Sequence, residues 1–128
     1  MAEMTIKKRP KNLDLTTIRL PLPGKVSILH RVSGAGLFLC LPLLLWLFGD
    51  SLHSADSYAA LKAHVASLPA KVILAGLLWA FVHHFCAGIR FLLLDLHVGI
   101  EKEAARKSAG VVFAVSIPLT LALWGMLL

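Results

Sequence analysis

The chain has 128 residues, 58% of them hydrophobic, with 13 lysines and arginines against 7 acidic residues and a net charge of +6. A mean hydropathy of +0.79, with the apolar residues gathered in blocks, excludes an ordinary soluble domain of this size. The charge does not indicate nucleic-acid binding, because the basic residues flank the apolar blocks instead of forming a groove interleaved with aromatics.

Residues 1–24 form a polar, basic segment in which Pro10, Pro21 and Pro23 interrupt any helix. It is expected to run over the cytoplasmic surface, against a soluble partner. Glu3 and the scarcity of serines argue against a mitochondrial presequence. The first apolar block starts about thirty residues in and has no small-residue cleavage site, so it does not read as a signal peptide.

Three apolar blocks, residues 32–49, 72–94 and 109–128, reach the length of about 20 residues that crosses a hydrocarbon core of roughly 30 Å. With their flanking turns, spans are expected over 25–49, 70–94 and 108–128. The fold expected is all-α: one integral membrane domain covering residues 1–128, a three-helix bundle with a polar cytoplasmic N-terminal segment.

The first helix is expected to start near Lys25 or Val26 and to carry Ser27, His30 and Arg31 into the interface. Pro42 and Pro118 fall inside spans, which membrane helices tolerate. Residues 50–68 read as a short, mildly polar loop with one amphipathic turn around 58–65, and His53 and His64 read as solvated residues within it. In the second loop, 95–107, Glu103 and Lys107 have the i,i+4 spacing of a helical turn. Trp46 and Trp124 lie near the far ends of their spans, where aromatic rings favour the interface, and Trp79 reads as a packing residue. Cys40 and Cys86 sit in separate spans without CxxC spacing, as small apolar packing groups do.

Lys7, Lys8, Arg9, Lys11, Arg19, Lys25 and Arg31 precede the first span, and Lys102, Arg106 and Lys107 lie between the second and third. The intervening loop has only Lys62 and Lys71, set against Asp50 and Asp56. The positive-inside rule then predicts a cytoplasmic N-terminus and a periplasmic C-terminus in a bacterial inner membrane.

The most informative stretch is Val82-His83-His84-Phe85-Cys86-Ala87-Gly88-Ile89-Arg90. An arginine within a span costs about 2.5–3.5 kcal/mol on insertion scales, so ionisable groups there have a partner or a task. At 100° per residue, His84, Gly88, Phe91 and Asp95 lie within about 40° of one stripe, while His83 shares another with Ala87 and Arg90. Gly88 leaves room for a flat ring beside His84. His84 falls about 15 Å from the cytoplasmic end of its span, near the midplane. A haem iron held there would have its propionates about 8–10 Å away, towards the interface that carries His30 and Arg31. Two readings stay open for His84: ligand of a flat cofactor, or interhelical hydrogen-bonder. Ser27 and Arg31 are i,i+4 neighbours that present a hydroxyl and a guanidinium to a quinone carbonyl. The alternative is that Arg31 snorkels to headgroups and Ser27 satisfies a backbone carbonyl.

Taken together, these residues resemble a known family. Arg9-Pro10-Lys11-Asn12-Leu13-Asp14-Leu15, Ser27-Ile28-Leu29-His30-Arg31-Val32-Ser33-Gly34, and His84-Phe85-Cys86-Ala87-Gly88-Ile89-Arg90 followed by Asp95 are similar to three signatures. These belong to the cytochrome b membrane anchors of succinate dehydrogenase, the larger anchor of bacterial respiratory complex II. The resemblance covers nearly the whole chain, in order. It implies that His84 is one axial ligand of a haem b whose other ligand comes from the smaller anchor subunit. It also implies that Ser27 and Arg31 line a ubiquinone site and that His30 and Arg31 sit near the haem propionates. Relatives often have a second histidine where this chain has Phe91, so any polar contact made there is lost here.

The expected function is therefore that of a membrane anchor in a succinate:ubiquinone oxidoreductase, a non-flavin subunit that does not oxidise succinate by itself. It would pass electrons from an iron–sulfur subunit to quinone, with a flavoprotein subunit, a smaller anchor and membrane lipid as further partners and no nucleic acid. A quinol–fumarate reductase anchor and a haem-free scaffold are the alternatives.

Overall fold

The computed structural model describes residues 17–127 as four α-helices, with no strand among them. They are α1 (Leu22–His53), α2 (Ala55–Val65), α3 (Leu68–Asp95) and α4 (Lys102–Leu127). Helices α1, α3 and α4 are long and apolar enough to cross a membrane, as the hydropathy blocks predict. At 1.5 Å per residue they measure roughly 48, 42 and 39 Å, so their ends extend beyond a hydrocarbon core of about 30 Å into the headgroup zone.

α1 begins three residues ahead of Lys25. Pro21 is its N-cap, Pro23 sits in the first turn, and the Lys25 N–H donates to the Pro21 carbonyl at 3.1 Å. Proline is well placed there, since a first-turn N–H has no helical partner to lose and the ring holds φ near the helical value. Pro23 therefore opens the helix instead of interrupting it. Residues 1–16, with the Arg9-Pro10 signature and the expected cytoplasmic course, lie outside the described residues. Helices α1 and α4 continue through Pro42 and Pro118.

The stretch expected as a loop with one amphipathic turn is an 11-residue helix, α2. Ser54 adopts an extended conformation after α1 and caps the next helix. Its Oγ accepts from the Ser57 N–H at 3.0 Å, and Ser57 Oγ accepts from the Ser54 N–H at 3.0 Å. This reciprocal box satisfies two N–H groups that a helix start would otherwise leave open. His53 and His64 are exposed, as surface residues are expected to be, though both belong to helices.

The buried core is small: Val26 of α1, Ala87 of α3, and Ala109 and Val112 of α4, flanked by Leu22, Cys86, Phe91 and Phe113. The two alanines let the backbones approach, which is how membrane helices associate when burial of apolar surface gives no advantage over lipid. Large apolar side chains elsewhere stay exposed, Phe38 and Leu39 by about three quarters of their surface. On a membrane span such a surface meets lipid or another subunit. The core lies at the end of the bundle that carries Lys25, Arg31, Lys102, Arg106 and Lys107, and α2 lies at the other end.

A tight turn closes α3. His97 takes a left-handed conformation (φ 60) and its N–H donates to the Leu94 carbonyl at 2.9 Å, while the Val98 N–H donates to Leu93 at 2.9 Å. That pair of bonds is a Schellman cap, which usually has glycine where His97 stands.

Candidate functional site

The packing of α1 on α3 sets His30, Ser33 and Gly34 against His84, Gly88 and Phe91. His84 Nδ1 lies 3.0 Å from the backbone carbonyl of His30. A carbonyl oxygen only accepts, so Nδ1 carries the proton and donates it. Ser33 Oγ donates to the same carbonyl at 3.0 Å and lies 3.4 Å from Nδ1. With Nδ1 protonated, Nε2 keeps its lone pair, and no hydrogen bond reaches it among the described residues. An imidazole anchored through one nitrogen with the other left as an acceptor is the arrangement of a metal-binding histidine.

Gly34 makes this approach sterically feasible. A Cβ at Gly34 would stand 2.7 Å from His84 Cε1 and 3.2 Å from Nδ1, both inside normal contact distance. Space on α1 therefore seats the ring. Gly34 closes the first spanning signature, but its role could not be read without knowing which helix faces His84.

The space over Gly88 is used differently from the sequence-based expectation. The His30 imidazole lies there, its Nε2 3.6 Å from where a Gly88 Cβ would be. The His30 and His84 rings stack with centroids 4.1 Å apart and planes 4° apart, and Phe91 lies 5.0 Å beyond. His30 thus turns inward towards α3, while its neighbour Arg31 is exposed. Arg31 Nε donates to the backbone carbonyl of Ser27 at 3.3 Å. The two residues share a helix face as their spacing predicts, but the link runs through the backbone and leaves the Ser27 hydroxyl out of it.

His83 and Arg90 face α4. His83 is fully buried between Trp79 and Phe113, with centroids 5.2 and 5.3 Å away. Neither of its nitrogens has a partner among the described residues. Arg90 is 6% exposed. It donates from Nε to Ser108 Oγ at 2.9 Å and from Nη2 to the Ala105 carbonyl at 3.1 Å, and so ties α3 to α4. The described residues contain no cluster of three or more metal-ligating side chains.

Three helices long and apolar enough to cross a membrane, with the mid-span His84 of one hydrogen-bonded to the backbone of another, define a helical membrane subunit. The chain matches the family described as succinate dehydrogenase/fumarate reductase transmembrane subunit over residues 5–123, and it belongs to that family. It is 34% identical over 119 residues to the succinate dehydrogenase cytochrome b556 subunit of Paracoccus denitrificans, covering 93% of this chain and 92% of the relative. The subunit of the same name from Coxiella burnetii is 41% identical over 112 residues, covering 85% and 88%. A mitochondrial cytochrome b560 subunit from Dictyostelium discoideum is 31% identical over 121 residues, covering 88% of this chain and 59% of the relative.

Proposed function

We propose that this chain is the larger membrane anchor of a succinate:ubiquinone oxidoreductase, and that His84 supplies one axial ligand to a haem b shared with the smaller anchor subunit. The observation that carries the reading is the bond from His84 Nδ1 to the His30 carbonyl, which leaves Nε2 as the free acceptor near mid-membrane. The relatives' names, which call them cytochrome b subunits, support the type of haem. When bound, haem b supplies a one-electron redox centre. The chain's own residues orient the imidazole through the His30 carbonyl, make room for it at Gly34, and offer His30 and Arg31 as donors to the propionates.

At the same end of the bundle, Ser27 and Arg31 hold a ubiquinone carbonyl through a hydroxyl and a guanidinium. The chain has two cysteines, Cys40 and Cys86, in separate spans and too few for the usual four-thiolate cluster. Succinate oxidation and electron delivery accordingly belong to flavoprotein and iron–sulfur subunits. The basic residues at this end favour a cytoplasmic N-terminus and a periplasmic C-terminus in a bacterial inner membrane. The relatives named above, each a succinate dehydrogenase subunit by name, favour that direction of turnover over fumarate reduction.

Arg31→Leu in the assembled complex tests the quinone assignment. Quinone reduction should fall by about tenfold or more, as loss of a charge-assisted hydrogen bond implies, while succinate oxidation by an artificial acceptor persists. Equal loss of both activities would show that Arg31 acts on assembly instead.

A further inference from the structure

A groove between α3 and α4 opens at the basic end of the bundle, on the side of α3 opposite His84. At 100° per residue, Cys86, Ile89 and Leu93 lie within about 40° of the direction diametrically opposite His84. All three line this groove, with Val111 and Val115 of α4. Its two charged lining residues are Arg90 and Lys107.

These cations stand at one level. Arg90 is five residues before the end of α3 and Lys107 five residues after the start of α4, each about 7.5 Å inside its helix terminus. A helix of about 39–42 Å overhangs a 30 Å hydrocarbon core by roughly 5–6 Å at each end. Arg90 and Lys107 therefore lie where the headgroup zone meets the acyl chains.

No carboxylate balances the charge on Arg90 among the described residues; its Cζ lies 5.5 Å from the centroid of the Phe91 ring, a cation–π contact that offsets part of the burial without neutralising the charge. The hydrogen bonds of Arg90 go to a serine hydroxyl and a backbone carbonyl. Two of its five N–H donors are engaged, which leaves three on a side chain more than nine-tenths buried. Asp95 lies on the His84 stripe, away from the groove, and Glu101 and Glu103 are exposed. Below the two cations the wall is apolar and open: Ile89 is 46%, Val111 57% and Val115 46% exposed.

We propose that this groove binds an anionic glycerophospholipid of the surrounding leaflet. Its phosphate would be held by Arg90 and Lys107, and one acyl chain would lie along Ile89, Val111 and Val115. A fixed anion compensates the buried guanidinium, and a basic recess between spans at the positive side of a membrane is where such headgroups bind. A second subunit that completes the coordination at His84 must approach the opposite face of α3, which leaves the groove open to lipid. Only that last step rests on the function proposed above.

The test is native mass spectrometry of the delipidated, assembled complex titrated with phosphatidylglycerol or phosphatidylcholine. The complex should retain phosphatidylglycerol with about tenfold preference, and Lys107→Gln should weaken that retention about fivefold. Val111→Trp, which fills the groove and leaves both charges in place, should abolish it, so the result does not depend on a variant that unties α3 from α4. Equal retention of the two lipids, retention unchanged by both substitutions, or displacement by ubiquinone at matching affinity would overturn the proposal. The b-type spectrum of the same samples reads the His84 assignment separately.

Discussion

The imidazole of His84 is held by the backbone of the neighbouring span: its Nδ1 donates to the carbonyl of His30 at 3.0 Å, and its Cε1 lies 2.7 Å from where a Cβ on Gly34 would be. One helix thus fixes both the tautomer and the position of a side chain on another. A backbone acceptor cannot rotate away as a side-chain acceptor can, so the orientation lasts as long as α1 and α3 stay packed. Ser33 adds a hydroxyl to the same carbonyl but is not the principal acceptor.

Gly34→Ala should displace the His84 ring. Alanine is the better helix former by about 1 kcal/mol, so helix propensity favours the variant. The 2.7 Å clash with Cε1 should nonetheless cost about 1–3 kcal/mol of packing energy. The expected result is a lower haem-to-protein ratio in the purified complex, with Ser33→Ala close to the parent. Full haem content in Gly34→Ala would mean that α1 does not approach His84 this closely.

His83→Leu should leave the visible spectrum unchanged and shift stability by no more than about 1 kcal/mol. Both ring nitrogens of His83 are buried without partners among the described residues, so removing them relieves a desolvation penalty that offsets the lost ring contacts with Trp79 and Phe113. The check is a visible spectrum alongside a thermal midpoint. Loss of b-type bands here would transfer the ligand role from His84 to its neighbour.

The spans and the placement of the two histidines on different faces of α3 were legible in the sequence. The apolar blocks marked α1, α3 and α4, and the 100° rule separated His84 from the stripe of His83, Ala87 and Arg90, all three of which are buried. The helical form of 55–65 was less visible, because its mixed composition gives no apolar stripe, although Ser54, Asp56 and Ser57 are start signals. The role of Gly34 and the inward turn of His30 were not legible. Both depend on the register between α1 and α3, and periodicity within one helix carries no information about which residue of another stands opposite. Gly88 shows this most clearly: the cleared space was foreseen, and the imidazole that fills it comes from a residue 58 positions earlier in the chain.

His97→Gly should raise the thermal midpoint of the purified complex, with a gain of about 0.5–1 kcal/mol. His97 holds φ 60 at the residue after the α3 cap, where an L side chain crowds the backbone and glycine does not. A lowered midpoint would show that the His97 side chain makes a contact worth more than this strain.

The measurement that bears most directly on the central claim is a dithionite-reduced minus oxidised visible spectrum of the assembled complex, compared with its His84→Leu variant. An axial ligand at His84 predicts sharp b-type bands in the parent that vanish or shift in an assembled variant. Identical spectra from the two complexes, or no chromophore in a well-assembled parent, would contradict it and leave His84 as a hydrogen-bonding residue that joins α3 to α1.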